Sequence, residues 1–486
     1  MKESTKNGLL VVGSVLLTAL LFGLGVELVE RVRYSRWKTA RMPGLHSFVA
    51  SPDPELVWEN RPFAVVGKGS INRWGFRDTD YDSRAKPGGT RRIAFAGDSV
   101  TFGLYADAED VFVKVLGRDM RRLREDERVQ LMNFSVVGYD AAQVSALIRE
   151  KVLPFAPDVV IYALCLNDFD SDDFSSELVR YFRPPTSFVW QRLKSARRDE
   201  NRDAYIEEYV EANKERAAAE ISKVATTLGE KSVDFRVVIL PVFDGTLASF
   251  EEYSFGAVHA TIAASLQARH VAVVDLLPYF RDCAELSPSA YAGDFWHLNE
   301  LGHRFVARAL LDAVLARELP EPREPEEAVC RALRRLEPRE DASERDAFEK
   351  SMAGGKETPI AIDSSLLVLR GLWPVEHVDD RAYAWTKEDA VIRVRGLHAG
   401  AGYRVVVRIA DVARRPRVDA GPRGAELHAF EPPTDVLELP TSLTADQDGA
   451  VDVELRTETW RPSASGSEDP RSLGVAIAGV DLAEAR

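Results

Sequence analysis

Between residues 91 and 317, strand-like and helix-like segments alternate, and this alternation is the strongest constraint on the fold. Five apolar runs have the length and composition of buried strands, namely 93–96, 129–137, 158–166, 235–242 and 271–276. Apolar residues at helical spacing mark the segments that separate or follow them, namely 111–123, 141–155, 205–228, 257–268 and 301–315. This order predicts a parallel, doubly wound sheet between two layers of helices, which is a three-layer α/β domain.

The amino terminus does not have the composition of a soluble domain. Residues 7–26, NGLLVVGSVLLTALLFGLGV, contain no charged side chain and would span about 30 Å as a helix, which matches a bilayer core. A buried helix rarely lacks a polar face over this length. A cleaved signal peptide has a shorter apolar stretch and a small-x-small site, which is missing before Glu27. We therefore predict an uncleaved transmembrane anchor at residues 7–29.

The orientation of this anchor stays open. Lys2 and Lys6 precede it and five basic residues follow within 31–41, so a literal count of positive charges places the carboxyl side in the cytoplasm. A very short tail ahead of a large domain is instead typical of an exported, anchored enzyme. We expect the second arrangement, with the large domain extracytoplasmic, either periplasmic or on the cell surface.

The segments outside the α/β region differ from it in composition. Residues 42–90 form a polar lead-in, and residues 318–359 are rich in Glu, Arg, Pro and Ala, which predicts a charged linker with one short helix near 329–336. Within 360–486, short β-type runs recur at 365–370, 390–395, 403–409, 451–455 and 474–478. A β-sandwich domain is predicted there. Its Trp373 and Trp385 are either core residues or exposed platforms that stack on sugar rings.

Composition excludes several classes of function. The chain of 486 residues has a net charge of -14, which argues against nucleic acid as a partner. Its three cysteines, Cys165, Cys283 and Cys330, show neither a disulfide framework nor a metal-ligand spacing. Four aspartates between 168 and 173 lack the spacing of a calcium loop, so a solvated loop is predicted and no metal is expected.

The first strand-like run ends at Gly97-Asp98-Ser99, which has two interpretations. Gly-Asp-Ser is ordinary turn chemistry that caps a helix, but it can also display a serine at the carboxyl end of a strand, where open α/β sheets bind ligands. A serine hydroxyl becomes a nucleophile when a base takes its proton, normally a histidine that a carboxylate orients. Asp294 and His297 stand three residues apart ahead of the last helix, close enough for the carboxylate to accept from Nδ1.

Acyl transfer also needs hydrogen-bond donors where negative charge develops on the former carbonyl oxygen. Gly138 follows the second strand-like run, and Asn167 ends the third. Each is a common turn residue, so neither is specific alone. Together, the order of serine, glycine, asparagine and Asp-x-x-His, each at a strand end or ahead of a helix, is a strong signal.

The order GDS, glycine, Asn-Asp and Asp-x-x-His resembles the SGNH or GDSL hydrolase superfamily, over roughly 72–317. Its most specific stretches are AGDSVTFG and DFWHLNELGH, and NRWGFR at 72–77 looks like the lead-in of membrane-anchored bacterial members. The resemblance implies an SGNH, flavodoxin-like hydrolase domain at 91–317. It implies that Ser99 is the nucleophile, His297 the general base and acid, and Asp294 the residue that orients His297. The backbone amides of Ser99 and Gly138, with the Asn167 side chain, would form the oxyanion hole. Cys165 stands where the family usually has glycine.

The expected function is that of a serine esterase or deacylase working through a Ser-His-Asp acyl-enzyme on an ester, such as an O-acetylated glycan or a lipid. The alternatives are an O-acyltransferase to a polysaccharide acceptor and a non-catalytic carbohydrate-binding scaffold. The intact set of catalytic residue types speaks against the scaffold. Hydrolase and transferase stay unresolved, because water and a sugar hydroxyl attack the same acyl-enzyme. No cofactor is expected.

Overall fold

The computed structural model describes residues 2–41, 45–81, 83–124, 128–170, 177–316, 326–353, 357–378, 381–410, 416–430, 435–465, 469 and 471–485. The chain divides into two compact units. The first comprises Met1–Pro241 and Ser254–Asp275, and the second comprises Val242–Tyr253 and Leu276–Arg486. The domain limits predicted from composition, at 7–29, 42–90, 91–317, 318–359 and 360–486, stay predictions.

The first unit contains the predicted α/β elements up to the fifth strand. Its strands are β1 Phe48–Ala50, β2 Trp58–Asn60, β3 Val65–Val66, β4 Gly69–Ser70, β5 Arg91–Gly97, β6 Val129–Ser135, β7 Val159–Leu164, β8 Asp234–Ile239 and β9 Ala272–Asp275. Its helices are α1 Lys2–Arg41, α2 Ser99–Phe102, α3 Phe112–Arg124, α4 Ala141–Leu147, α5 Glu177–Phe182, α6 Phe188–Glu200, α7 Arg202–Glu230 and α8 Gly256–Gln267.

Among the described residues, a five-stranded parallel sheet runs in the order β6-β5-β7-β8-β9. Its central strand β7 is buried at every position, as expected for an apolar run covered on both faces. The register sets Phe95 of β5 opposite Asn133 of β6 and Ile161 of β7. The predicted parallel α/β sheet is therefore confirmed, and the order leaves β5 between β6 and β7.

Helix α4 is shorter than its apolar spacing predicts. The α-helix ends at Leu147 and continues as a π turn, Ile148–Val152, and a 3-10 turn, Leu153–Phe155. Pro154 lies in the last turn and has no N–H to continue an α-helical ladder, and its ring crowds the preceding turn. A wider π turn followed by a tighter 3-10 turn carries the chain past this proline.

The second unit contains the last helix of the α/β pattern and an all-β region. Its helices are α9 Leu277–Cys283, α10 Glu300–Ala313, α11 Glu326–Arg334 and α12 Ala342–Ala353. Its strands are β10 Thr358–Ala361, β11 Leu367–Leu372, β12 Glu376–Val378, β13 Arg381–Val394, β14 Gly402–Ile409, β15 Val418–Pro422, β16 His428–Phe430, β17 Val436–Glu438, β18 Leu443–Thr444, β19 Val451–Thr457 and β20 Ala476–Glu484.

These β strands pair antiparallel, as the alternating sequence pattern predicts. The longest, β13, pairs with β20 near its start, Ala384 opposite Ile477, and with β19 at its end, Val394 opposite Val451. Apolar side chains on alternate positions of these strands form one buried core. The predicted antiparallel carboxyl-terminal β domain is confirmed.

The two tryptophans of the β domain are core residues. Trp373 is 7% exposed and Trp385 is 8% exposed. The Lys387 ammonium lies 5.3 Å and the Arg471 guanidinium 5.4 Å from the centre of the Trp373 ring. Both rings are largely buried, which agrees with core packing, and Trp373 also lines a cavity together with Lys387 and Arg471.

The charged segment before the β domain is more ordered than its composition predicts. The short helix expected near 329–336 is present as α11, and α12 follows it with Phe348 buried in the β-domain core. Cys283 at the end of α9 and Cys330 in α11 form a disulfide, which the sequence interpretation missed. The sequence offered no spacing motif that would have indicated this disulfide, because the two cysteines are 47 residues apart.

Candidate active site

The turn that carries Ser99 leaves room only for glycine at position 97, the last residue of β5. A Cβ on Gly97 would lie 2.2 Å from the Thr101 hydroxyl oxygen and 3.0 Å from the Ala163 carbonyl oxygen. The chain can therefore turn sharply from β5 into α2, with Ser99 as the first residue of that helix. Gly103 ends α2 with a left-handed φ of 77°. Ser99 is 5% exposed.

Asp98, which has no exposed surface, connects the groups of this turn. Its carboxylate accepts hydrogen bonds from the Val100 N–H at 2.9 Å, the Asn167 amide at 2.8 Å and the Ser99 hydroxyl at 3.2 Å. A carboxylate only accepts, so it selects the NH2 end of the Asn167 side chain and leaves the second amide hydrogen for another acceptor. Sequence analysis treated Asp98 only as turn chemistry and missed this role.

Three predicted site residues of the first unit follow neighbouring strands. Ser99 follows β5, Gly138 follows β6 and Asn167 lies in a 3-10 turn, Leu166–Phe169, directly after β7. Parallel strands end at the same edge of a sheet, so the topology brings these three residues to one edge. Gly138 has a φ of 78°, which a side chain would strain.

Side chains of the lead-in segment donate hydrogen bonds to backbone carbonyl groups at this edge of the sheet, which the sequence pattern does not predict. The buried guanidinium of Arg77 donates to the carbonyl oxygens of Phe102 at 2.8 Å, Ala106 at 2.7 Å and also Gly103, at and just after the end of α2. The Trp58 indole donates to the Val137 carbonyl at 3.1 Å, one residue before Gly138. The only sequence signal for the Arg77 contacts was the NRWGFR stretch at 72–77, which does not include Trp58.

Cys165, at the position where the resemblance expects glycine, is fully buried as a free thiol. Burial raises its pKa well above the ordinary value, and the charges of Asp98 and Asp168 add to this shift. The residue begins the turn that carries Asn167 and donates its N–H to Asp168 at 3.2 Å. The side chain is therefore accommodated inside the strand end.

The predicted solvated acidic loop is wrong for its first two members. Asp168 and Asp170 are 2% and 9% exposed and accept from the Tyr162 and Tyr205 hydroxyls at 2.7 and 2.8 Å. Burial, reinforced by the Asp98 charge, raises the pKa of Asp168 well above its usual range. Asp172 and Asp173 lie outside the described residues.

Asp294 and His297, in the second unit, form the predicted pair. Both carboxylate oxygens of Asp294 lie 2.8 Å from His297 Nδ1, and Asp294 Oδ1 also accepts the backbone N–H groups of Trp296 and His297 at 2.8 Å. Burial acts to raise the pKa of Asp294, but the hydrogen bonds and charge of His297 outweigh it and lower that pKa to about 2. The carboxylate fixes the tautomer with the proton on Nδ1, so Nε2 is the basic nitrogen.

The ordering of this pair is local. Asn299 caps α10 by accepting from the Gly302 N–H at 3.0 Å, and its amide donates to the Ala290 carbonyl at 2.9 Å. Gly302 is required there, because a Cβ would lie 2.0 Å from the Tyr291 carbonyl oxygen. His303, on α10, is buried.

Residues 95–305 match the GDSL-like Lipase/Acylhydrolase family. Among curated proteins, none matches the chain. The crystal structure of the acetyl xylan esterase AlAXEase shows 17% identity and a TM-score of 0.33, covering 46% of this chain and 99% of that one. A two-domain esterase active on acetylated mannans, CEX, co-crystallized with mannopentaose, shows 16% identity and a TM-score of 0.30, covering 83% and 93%.

A third crystal structure, of the acetylxylan esterase Axe2 from Geobacillus stearothermophilus in a catalytic mutant form, shows 17% identity and a TM-score of 0.31. It covers 47% of this chain and 95% of that one. At these identities and TM-scores, the assignment rests on the family match.

Proposed function

Because residues 95–305 belong to the GDSL-like lipase/acylhydrolase family and the chain is a serine ester hydrolase, we propose that it cleaves esters through an acyl-enzyme on Ser99. In this proposal His297 is the general base and acid and Asp294 orients it. The proposed substrate is an O-acylated glycan, and the alternative substrate is a lipid ester. The observation that carries the proposal is the Asp294–His297 pair, with both carboxylate oxygens 2.8 Å from Nδ1.

The chemical steps follow from these groups. His297 Nε2 takes the Ser99 proton while Oγ attacks the ester carbonyl, and the resulting oxyanion is held by the N–H groups of Ser99, Gly138 and the Asn167 side chain. Collapse expels the alcohol, which takes the proton from His297, and leaves the acyl group on Ser99. Water then attacks with the same base and releases the acid. The proposal requires that His297 reach Ser99 in the working enzyme.

Active-site labelling tests the nucleophile. A fluorophosphonate should label the wild type at the peptide containing Ser99, and Ser99→Ala should abolish both labelling and hydrolysis of a short-chain nitrophenyl ester. Ser222→Ala, a half-buried serine on α7, is the matched control and should keep both. His297→Ala should also lose labelling, since an unassisted serine hydroxyl stays protonated near pH 7. Labelling that persists in Ser99→Ala would place the nucleophile elsewhere.

The location that we propose is the extracytoplasmic face of a membrane, with α1 as the anchor. Residues 11–40 form one helix long and apolar enough to cross a membrane, by length and composition only. The Cys283–Cys330 disulfide agrees with an oxidising compartment, since structural disulfides are rare in the cytosol. A reporter fused after Arg486 that is active only in the cytoplasm would reverse this assignment.

A screen of purified enzyme separates substrate and reaction type. We expect release of free acid from acylated oligosaccharides, at a rate that an added unacylated sugar acceptor leaves unchanged. Transfer of the acyl group to that acceptor, detected by mass spectrometry, would assign the acyltransferase function instead. Preference for lipid esters over acylated oligosaccharides would overturn the glycan assignment while leaving the mechanism intact.

A further inference from the structure

Helix α1 is docked on the first unit from within its apolar stretch onward. Residues 11–22 are exposed, whereas half-buried positions then recur every three or four residues at 23, 26, 27, 30, 34, 37 and 38. The Tyr34 hydroxyl donates to the Arg180 carbonyl at 2.9 Å, and the Arg180 guanidinium lies 4.5 Å from the Trp37 ring centre. The helix that we propose as the anchor is thus continuous with the folded body.

The docking point that matters most is Glu27, the first charged residue after the apolar stretch. Its carboxylate accepts the backbone N–H groups of Phe188 at 2.8 Å and Val189 at 3.1 Å and the Ser187 hydroxyl at 3.3 Å. These are the first groups of α6, whose free N–H groups need acceptors. The start of α6 therefore lies at the level where the apolar stretch ends.

Helix α6 exposes its bulky apolar side chains at this level. Trp190 is 62% exposed and Leu193 is 55% exposed, and Ala196 continues the same exposed face at a spacing of three. Arg192 and Arg197, with side chains 69% and 67% exposed, flank this strip and form surface ion pairs with Glu30 at 2.8 Å and Glu208 at 3.3 Å. On the opposite face Phe188 is buried, with its ring centre 5.3 Å from that of Tyr34 on α1. A tryptophan with an apolar strip between arginines is typical of helices that lie in a membrane interface.

The apolar surface extends onto α1 beside it. Leu28 is 65% exposed and Val32 is 46% exposed, although both follow the uncharged stretch. Residues 27–41 carry five basic and two acidic residues, and residues 188–200 carry four basic and two acidic ones, in a chain whose net charge is -14. This basic excess fits the negative headgroups of anionic phospholipids.

We propose that α6 is a second membrane contact, with Trp190 and Leu193 in the interface and Arg192 and Arg197 on anionic phospholipid headgroups. This inference rests on the proposed anchor, because α1 sets the level of α6. We choose a lipid bilayer as the partner of this strip because Glu27 joins the start of α6 to the end of the apolar stretch that we propose to cross the membrane. The contact would hold the body of the first unit in one orientation on the membrane.

The test uses the full chain, reconstituted in nanodiscs of phosphatidylcholine and phosphatidylglycerol. A nitroxide is attached at Trp190→Cys or Leu193→Cys, and the matched control is Glu230→Cys at the exposed end of α7, 29 residues long. The native thiol of Cys165 is buried and the other two cysteines are paired, so the unsubstituted chain should take no label. Collision rates with oxygen and with a water-soluble nickel chelate report the depth of the label.

The labels at 190 and 193 should collide with oxygen severalfold more than with the chelate, whereas the label at 230 should show the reverse. A label at 190 as accessible to the chelate as that at 230, in a chain that stays inserted, would overturn this inference alone. Release of the full chain from the discs would overturn the anchor and the inference together. Spin–spin broadening at 190 would show a second copy of the chain on this face and would also overturn it.

Discussion

At the scale of single residues, Asp98 holds the side chain that we propose as an oxyanion donor, Asn167. Its carboxylate holds the Asn167 amide at 2.8 Å and simultaneously caps α2 through the Val100 N–H. The Asn167 Nδ2 has two hydrogens, so fixing one of them on Asp98 aims the other. Asp98 is thus a positioning residue in the proposed mechanism, and it acts through Asn167.

Asp98→Asn should lower kcat by about 10- to 100-fold with little change in KM, because a neutral amide holds Asn167 in either orientation. Asn167→Ala removes the donor itself and should lower kcat by about 10²–10³. If Asp98 acts through Asn167, the double variant should be no slower than Asn167→Ala. Steady-state kinetics of the three variants check this, and losses that multiply would refute the positioning role.

The ionisation of Asp294 sets a second prediction. Its pKa is lowered from 3.8 to about 2, so the carboxylate stays ionised well below neutral pH. Because its folded pKa is depressed, its contribution to stability is complete above about pH 4 and is lost as the pH falls toward 2. The acid limb of kcat/KM should therefore have a slope no steeper than one above pH 3, because Asp294 contributes no proton there. A slope of two in that range would show that Asp294 takes part in the titration.

At the scale of elements, helix α2, which begins at the proposed nucleophile Ser99, is only four residues long and depends on a distant segment. Its last carbonyl groups and the turn after it are held by the guanidinium of Arg77, which comes from the lead-in ahead of the sheet. The planar fork of arginine reaches several carbonyl oxygens at once, which the single ammonium of lysine does not do. The lead-in is thus part of the active-site scaffold.

Arg77→Lys should lower both kcat and thermal stability, because buried carbonyl groups at the end of α2 lose their donors at about 1–3 kcal/mol each. Arg73→Lys is the matched control, since that side chain is exposed and paired with Asp80 at the surface. It should leave both quantities within error. Circular dichroism melts and ester hydrolysis measure the two effects. Equal behaviour of the two variants would contradict the scaffold role.

At the scale of the whole molecule, the second unit is closed by a covalent link outside the β domain. The Cys283–Cys330 disulfide joins α9 to α11 across a separation of 47 residues. Salt bridges of Arg370 with Glu285 and Glu337 continue the connection to the β domain. The charged segment 326–353 is therefore part of the compact second unit and is tied down at both helices.

Replacing both cysteines, as Cys283→Ala with Cys330→Ala, should lower the free energy of unfolding by about 4 kcal/mol, because an open chain gains the entropy of a loop of this length. Cys165→Ala is the control, and it should cause a smaller loss that arises from packing alone. Urea denaturation with and without reductant gives the comparison. A wild type whose transition is unmoved by reductant would argue against a stabilising disulfide.

Local patterns in the chain were enough for the elements and for the contact between Asp294 and His297. Buried strands must be apolar on both faces, so β5 to β8 are visible as apolar runs, whereas β9 lies at the sheet edge and is only partly buried. Asp294 and His297 are three residues apart, and a turn of that length brings the carboxylate within hydrogen-bond distance of Nδ1. The strand order then places Ser99, Gly138 and Asn167 at one sheet edge, as their positions at strand ends predict.

Contacts between distant parts of the chain could not be derived this way, because the spacing of residues in the sequence constrains only contacts between residues within a turn or two of each other. Arg77 caps a helix 25 residues on, and Cys283 finds Cys330 across 47. Glu27 caps α6 across 161 residues, and Asp168 and Asp170 are buried where their composition predicts solvent. These depend on which segments the topology packs together.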